Sequence, residues 1–282
     1  MAEMQIRKSV FAGKFYPSTQ QLITRKLDEL KERAGAQERA ARPPILIVPH
    51  AAWQYSGLAA VRGIMTLASS PPSRVVLIGP AHRHYFLGFS LSGYGKYLTP
   101  LGEIEVDLVL QKEISDLTGF HFVPEAHVYE HSLEVIIPMI QYIVPAVRKI
   151  LPILAGDVTG PAIDSLADAL ASLMDPLQDT LIVSSDLSHF YSYDEARSLD
   201  QDTLERILEG NRKALLERSG EGGRLACGFA GIATAIEVAR RWELDKPELL
   251  MYYNSGDSGG DMDSVVGYAS LAYPPPNLAA SD

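Results

Sequence analysis

The chain has 282 residues, 46% of them hydrophobic, and a formal net charge of −10 at pH 7. A chain of this length can bury a large core, and its one cysteine excludes internal disulfides. The acidic balance disfavours nucleic-acid partners, and the absence of an apolar leader or of an uncharged apolar run of about 18 residues disfavours membrane insertion. We therefore expect a cytoplasmic protein.

Apolar periodicity predicts strands and helices that alternate along the chain. Six short apolar runs predict buried strands, and the segments between them have the three- and four-residue apolar spacing of amphipathic helices. In chain order these are a strand at 45–48, a helix at 56–67, a strand at 75–78, helices at 106–117 and 132–142, a strand at 150–154, a helix at 163–173, a strand at 181–183, helices at 193–208 and 228–242, and strands at 249–253 and 265–272. This order predicts an α/β fold with a central, mostly parallel sheet covered by helices on both faces.

The same pattern predicts one domain over residues 1–282. Residues up to about 42 are expected to form an N-terminal helical arm, and residues from about 274 an extended or disordered tail. The polar segment 31–42 is the one candidate linker, and it lies too near the N-terminus to separate two domains.

Polar side chains follow directly after several predicted strands. They are His50, His82, Asp186 and His189. In doubly wound sheets, ligands bind beyond the carboxyl ends of the strands, so we expect these groups to share one site. Cys227 precedes a predicted apolar helix, whose N-terminus is expected to lower the thiol pKa and favour the thiolate.

These residue types are those of an open metal site. Two imidazoles, from His50 and His82, with the Cys227 thiolate or a carboxylate leave coordination positions free, which suits iron, copper or catalytic zinc. His189 is then the candidate acid–base group with Asp186 orienting its ring, and His131 is expected to line the pocket.

Two other function classes remain open at this stage. The chain could be a non-catalytic protein that binds a peptide or a partner enzyme. Alternatively, Cys227 could be a nucleophile with His189 or His131 as its base. The remaining histidines, His84, His121 and His127, are expected to be solvated loop residues.

Nine ordered motifs connect the chain to a known family. They are Ala12-Gly13-Lys14-Phe15-Tyr16-Pro17, Pro49-His50-Ala51, Tyr55-Ser56-Gly57, Gly79-Pro80-Ala81-His82, Thr99-Pro100-Leu101-Gly102, Glu130-His131-Ser132-Leu133-Glu134, Ser185-Asp186-Leu187-Ser188-His189, Cys227-Gly228 and Ser264-Val265-Val266-Gly267-Tyr268. Over most of its length the chain resembles the MEMO family, called AmmeMemoRadiSam system protein B in bacteria and archaea.

The resemblance implies a fold similar to that of class III extradiol dioxygenases, which hold non-haem Fe(II) with two histidines and a carboxylate. His50 and His82 take the two histidine positions, and His189 takes the acid–base position. Cys227 stands where those enzymes use the carboxylate. The implied cofactor is therefore Fe(II), with copper as the alternative, and the implied chemistry is metal-linked redox chemistry rather than catechol ring opening.

The resemblance also implies partners: a small molecule or peptide in the pocket, a radical-SAM protein and an AMMECR1-like protein. The chain departs from the family at Ala52-Trp53, where Gly-Tyr is more usual. A larger aromatic surface is therefore expected near His50.

Overall fold

The computed structural model describes residues 5–35, 41–220 and 226–276, with side chains up to residue 217 in the second range. Secondary structure within these ranges follows the order β1 (Ile6–Lys8), α1 (Gln20–Ala34), β2 (Ile45–Val48), α2 (Trp53–Ile64), β3 (Arg74–Pro80), β4 (Phe89–Leu91), β5 (Lys96–Thr99), β6 (Gly102–Val106), α3 (Leu108–Thr118), α4 (Pro124–Val128), α5 (Ile137–Ile143), β7 (Lys149–Ala155), α6 (Gly160–Leu173), β8 (Asp179–Ser184), β9 (His189–Tyr191), α7 (Tyr193–Leu208), α8 (Arg212–Gly220), α9 (Phe229–Arg241), β10 (Glu248–Asn254) and β11 (Val265–Tyr273).

The strands form one sheet whose centre is parallel and whose flanks are mixed. The strand order is β1-β5-β6-β7-β3-β8-β2-β11-β10, with β4 also paired to β7 and β9 to β11. Strands β6, β7, β3, β8 and β2 run parallel to one another, whereas the β5–β6, β2–β11 and β10–β11 pairs are antiparallel. The predicted α/β fold is thus confirmed, with antiparallel strands added on each side of the parallel centre.

Helices cover both faces of this sheet, and two glycines show it. A Cβ at Gly63 of α2 would lie 2.7 Å from Val48, and a Cβ at Gly231 of α9 would lie 2.9 Å from Val183. Val183 pairs with Ile47, the residue before Val48, so Val48 and Val183 point to opposite faces because successive strand residues alternate. Helices α2 and α9 therefore pack on opposite sides.

The predicted strands all overlap observed ones, while two helices begin two or more residues later than expected. The helix predicted at 132–142 begins at Ile137, because Pro138 suits a first helical turn and residues 132–136 form turns. The helix predicted from residue 106 begins at Leu108, because the Asp107 side chain accepts a hydrogen bond from the Leu110 backbone and caps it. The short strands β1, β4, β5, β6 and β9 were not predicted, since each has only three to five residues.

The N-terminal residues are held against the rest of the molecule by a buried ion pair. Arg7 lies 2.6 Å from Glu134, and both side chains are almost fully buried. Glu134 also accepts hydrogen bonds from the backbone of Val10 and Phe11 and from the Tyr16 hydroxyl. In the expected arm, residues 5–35 thus supply a strand and a helix, whereas part of the expected tail, 277–282, lies outside the described residues.

Within the described ranges, no helix is both long and apolar enough to cross a membrane.

Candidate metal centre

Three adjacent parallel strands bring the predicted site residues to one edge of the sheet. His50 lies two residues after β2, His82 two residues after β3, and Asp186 two residues after β8. Strand β8 pairs in parallel with both β2 and β3, so the three carboxyl ends are neighbours. This is the edge at which α/β sheets bind ligands.

His50 is held in the tautomer that a metal ligand needs. The Ser184 hydroxyl lies 2.6 Å from the Ser132 carbonyl oxygen and 2.7 Å from Nδ1 of His50. A hydroxyl has one proton, and Ser184 donates it to the carbonyl, which can only accept. The Ser184 oxygen must therefore accept a hydrogen bond from Nδ1–H of His50. Nε2 of His50 is left unprotonated and directed towards the other site residues.

Glu130 fixes His82 in the same way. One carboxylate oxygen lies 2.9 Å from Nδ1 of His82, and the other accepts the His82 backbone N–H at 2.6 Å. Because a carboxylate only accepts, Nδ1 carries a proton, and in the neutral ring Nε2 is the nitrogen with a free lone pair. Glu130 also accepts the backbone N–H groups of His131 and Ser132, each at 2.9 Å. A buried carboxylate thus orients a candidate ligand, as is typical of metal sites.

His131 completes a cluster of three imidazoles, which we call the three-histidine cluster (His50, His82 and His131). Its ring centroid lies 4.6 Å from that of His82 and 5.4 Å from that of His50. One ring nitrogen from each histidine lies within 4.8 Å of the others. Nδ1 of His131 is buried and 3.2 Å from Glu130, yet it has no partner with hydrogen-bond geometry. His131, expected to line the pocket or to act as a catalytic base, is thus part of the cluster.

A second candidate ligand group shares His50 and contains Asp186 and Cys227. The Cys227 sulfur lies 3.4 Å from Nε2 of His50, and Oδ2 of Asp186 lies 3.9 Å from the same nitrogen. The other oxygen of Asp186 accepts the His50 backbone N–H at 2.8 Å. In the ranges that the structure describes, the predicted trio of His50, His82 and Cys227 is therefore divided between two groups that meet at His50.

Comparison with known proteins decides the family. The sequence model of the Memo-like protein family matches residues 7–272. A MEMO1 family protein from Aeropyrum pernix is 34% identical, covering 95% of this chain and 99% of its own length, and one from Sulfurisphaera tokodaii is 33% identical with the same coverage. The chain belongs to the Memo-like family.

The fold is also similar to that of a solved structure. An uncharacterized protein from Escherichia coli K12 superposes with a TM-score of 0.52 at 14% sequence identity, over 82% of this chain and 99% of that one. At such low identity the likeness concerns the fold alone.

Electrostatics in this Memo-like protein favour a neutral His50 and an ionised Glu130. Burial lowers the pKa of His50 from 6.5 to about 3, against the opposing effect of Asp186. Burial would raise the pKa of Glu130, but the rings of His131 and His82 outweigh it and hold the pKa well below its usual range. His50 is therefore neutral at pH 7, as a ligand must be.

The thiol pKa of Cys227 differs from the expected one. It lies directly before Gly228, the N-cap of α9, where a helix end was expected to lower the thiol pKa. Burial, followed by the charge of Asp186, instead raises the pKa of the thiol. In the absence of a cation, Cys227 therefore keeps its proton 3.4 Å from Nε2 of His50. A metal ion would replace that proton.

His189 lies outside both ligand groups. It begins the short strand β9, where it pairs with Val266 of β11. The preceding segment is fixed by Asp200, which is fully buried and accepts hydrogen bonds from the Ser188 backbone and the Tyr252 hydroxyl, both at 2.9 Å. The structure thus fixes the segment that carries Asp186 and His189 but adds no contact between His189 and the three-histidine cluster.

Two other expectations concern residues near the site. His127 is not a solvated loop residue but 1% exposed, with Nε2 bonded to Ser90 and Nδ1 near the Tyr97 hydroxyl. Trp53 is 2% exposed and donates its indole N–H to the Val135 carbonyl. Its ring packs against Tyr16 and is part of the hydrophobic core.

Proposed function

We propose that this Memo-like protein binds one iron or copper ion and uses it for redox chemistry of the oxidoreductase type. The observation that carries the proposal is that the rings of His50 and His82 are each fixed through Nδ1 by a buried acceptor, which leaves their Nε2 atoms as the nitrogens that can bind a metal. Neutral, pre-oriented imidazoles at neighbouring strand ends are the usual scaffold of such sites.

His50 and His82 would hold the ion, with Cys227 as the third donor. The donor types fit, because a thiolate with imidazoles suits copper and iron better than magnesium or calcium. His50 is the donor that belongs to both candidate ligand groups, and it joins His82 to Cys227. When bound, the metal would supply one-electron chemistry and open coordination positions. Asp186 is the competing third donor, since its Oδ2 atom lies 3.9 Å from Nε2 of His50.

The surrounding residues would orient the histidine ligands and transfer protons. Ser184 and Glu130 hold the ligand tautomers, and Asp186 fixes the His50 backbone. His131 lies beside both histidine ligands, and its buried Nδ1 lies 3.2 Å from the Glu130 carboxylate, which makes it a candidate proton carrier. We retain His189 as a proposed acid–base group on the strength of the dioxygenase resemblance.

Anaerobic reconstitution tests this function. Protein loaded with Fe(II) or Cu(I) should bind about one equivalent and consume O₂ with ascorbate as reductant, whereas His82→Ala should do neither. His84→Ala is the matched control, because His84 lies in the same loop but outside both ligand groups. Less than about one tenth of an equivalent bound to wild type, or unchanged binding in His82→Ala, would overturn the proposal.

One outcome would separate binding from catalysis. Full metal occupancy without O₂ consumption would favour the alternative function, a non-catalytic protein that binds a peptide or partner. Radical-SAM and AMMECR1-like proteins are the partners we propose for either function, and co-purification with them would support that assignment.

A further inference from the structure

A separate cavity of about 420 Å³ opens close to the metal centre. It is lined by the 13–18 loop, by one face of α1 and by the start of α2. None of the candidate metal ligands lines it, although Phe15 is shared, since its ring lies 4.6 Å from that of His131. The volume is that of a pocket for a small organic molecule.

The cavity has an excess of positive charge in an acidic protein. Lys14, Arg25 and Lys26 line it, and Glu29 is the acidic residue among the lining groups. Glu29 is already paired, with Lys26 at 2.8 Å and with Arg33 at 3.4 Å. Lys14 and Arg25 have no ion-pair partner in the part of the chain that the structure describes. Their charges are therefore available to a ligand.

The N-terminus of α2 adds to this positive potential. Ala52, Trp53 and Gln54 line the cavity, and they are the N-cap and first residues of a 12-residue helix. Ala52 makes no side-chain cap, and the first turn contains no acidic residue. The Trp53 and Tyr55 N–H groups already donate to the carbonyls of Phe15 and Ala52, so the positive potential at this end comes from the helix dipole and the Gln54 N–H, and no side chain of the helix caps it.

Apolar surface and a fixed wall complete the cavity. Phe15 and Leu22 line it, and Leu22 is 41% exposed. The Trp53 backbone N–H donates to the Phe15 carbonyl at 2.8 Å, and the Trp53 indole donates to Val135 at 3.0 Å. Because these bonds hold the wall in place without a ligand, binding requires little rearrangement.

We propose that this cavity binds a small organic anion, a carboxylate or phosphate monoester joined to an apolar group about the size of a benzene ring. The anionic group would lie at the N-terminus of α2 within reach of Lys14 and Arg25, and the apolar group against Phe15 and Leu22. Since no candidate metal ligand is involved, metal-free and metal-loaded protein should bind it alike, which separates this proposal from the redox function.

Fluorescence of Trp53 can report binding directly. The chain has two tryptophans, so a Trp242→Phe background isolates the signal of the residue in the cavity wall. Benzoate and phenyl phosphate should each give a saturable change that weakens with added salt. Benzyl alcohol, which keeps the ring but lacks the charge, should bind at least about tenfold more weakly. The two anions distinguish a carboxylate site from a phosphate site.

Charge variants locate the site. Lys14→Gln with Arg25→Gln should weaken anion binding at least about tenfold, whereas Lys246→Gln, an exposed charge outside the cavity, should not. The replaced side chains are exposed, and circular dichroism checks that the fold is kept. Equal binding of benzyl alcohol and the anions, no saturation up to about 10 mM, or an equal loss in Lys246→Gln would overturn the proposal.

Discussion

His50 and His127 are alike in burial and charge but differ in what their ring nitrogens contact. Each is 1% exposed, and burial lowers the pKa of each from 6.5 to about 3. In His127, both nitrogens face hydroxyl groups, those of Ser90 and Tyr97. In His50, Nδ1 is fixed by Ser184, whereas Nε2 faces the thiol of Cys227 and the carboxylate of Asp186.

The difference shows what marks a candidate ligand. Burial and a lowered pKa are shared by a core histidine and a site histidine, so neither property identifies the site. The neighbours of the second ring nitrogen, Nε2 of His50, do identify the site, because a thiol and a carboxylate are themselves metal donors. The contrast predicts that His50 matters for metal binding and that His127 matters for stability.

The largest expected effect separates the two histidines directly. His50→Gln should weaken metal binding at least about 100-fold, because it removes a donor shared by both candidate ligand groups. His127→Gln should leave metal binding intact and lower the free energy of unfolding by about 1–3 kcal/mol, because it disturbs buried hydrogen bonds. Metal titration and urea unfolding of both variants check this. An equal loss of metal affinity in both variants would contradict the difference between the two histidines.

Glu130 should have the next largest effect on the site. Glu130→Gln keeps the shape but exchanges an acceptor that orients His82 for a neutral amide, so metal affinity should fall about 10–100-fold. Glu103→Gln is the control, because Glu103 is exposed and pairs only with Lys96 in the described chain. Competition with a chelator measures the affinities. An unchanged affinity in Glu130→Gln would show that His82 needs no orienting carboxylate.

The pH dependence of stability tests the core histidine. The folded pKa of His127, about 3, lies below the unfolded value of 6.5, so the unfolded chain takes up the proton first. Its contribution to stability is therefore complete above pH 6.5 and declines as pH falls, levelling near pH 3. Relative to wild type, His127→Gln should lose about 1 kcal/mol less stability per pH unit between pH 6 and pH 4. If the free energy of unfolding changed equally with pH in wild type and in His127→Gln, the lowered pKa of His127 would be contradicted.

The smallest expected effects come from the two serines that contact these rings. Ser184→Ala removes the acceptor for Nδ1–H of His50, so metal affinity should fall by less than about tenfold while water or another rotamer compensates. Ser90→Ala, beside His127, should leave metal affinity unchanged. Metal titration of both variants measures these affinities. A larger loss of metal affinity in Ser90→Ala than in Ser184→Ala would contradict the assignment of His50 as the ligand.

Much of the fold could be predicted because buried parallel strands are continuous apolar runs. The runs at 45–48, 75–78 and 181–183 became β2, β3 and β8, the strands that carry the site. Strands β5 and β6 were missed, since they have only four and five residues, their exposed or half-buried positions interrupt any apolar run, and they join at a tight turn with φ +110° at Gly102. The local sequence pattern predicts a strand poorly where the strand depends on pairing with residues that are distant along the chain.

The site was predictable in its residue types but not in its geometry. His50, His82 and Asp186 follow strands, and their convergence follows from parallel pairing. The loop that brings Glu130 and His131 to the same edge has no such signal, and their roles depend on contacts 48 residues away along the chain. The raised pKa of Cys227 could not be foreseen either, because burial opposes the helix end and is visible only in three dimensions.

X-ray absorption of protein loaded anaerobically with one equivalent of Cu(I) or Fe(II) tests the central claim most directly. Two imidazole donors and one sulfur donor are expected, and Cys227→Ser should lose the sulfur while His127→Gln should not change the spectrum. A metal surrounded by oxygen donors alone, or one whose sulfur signal persists in Cys227→Ser, would contradict the account.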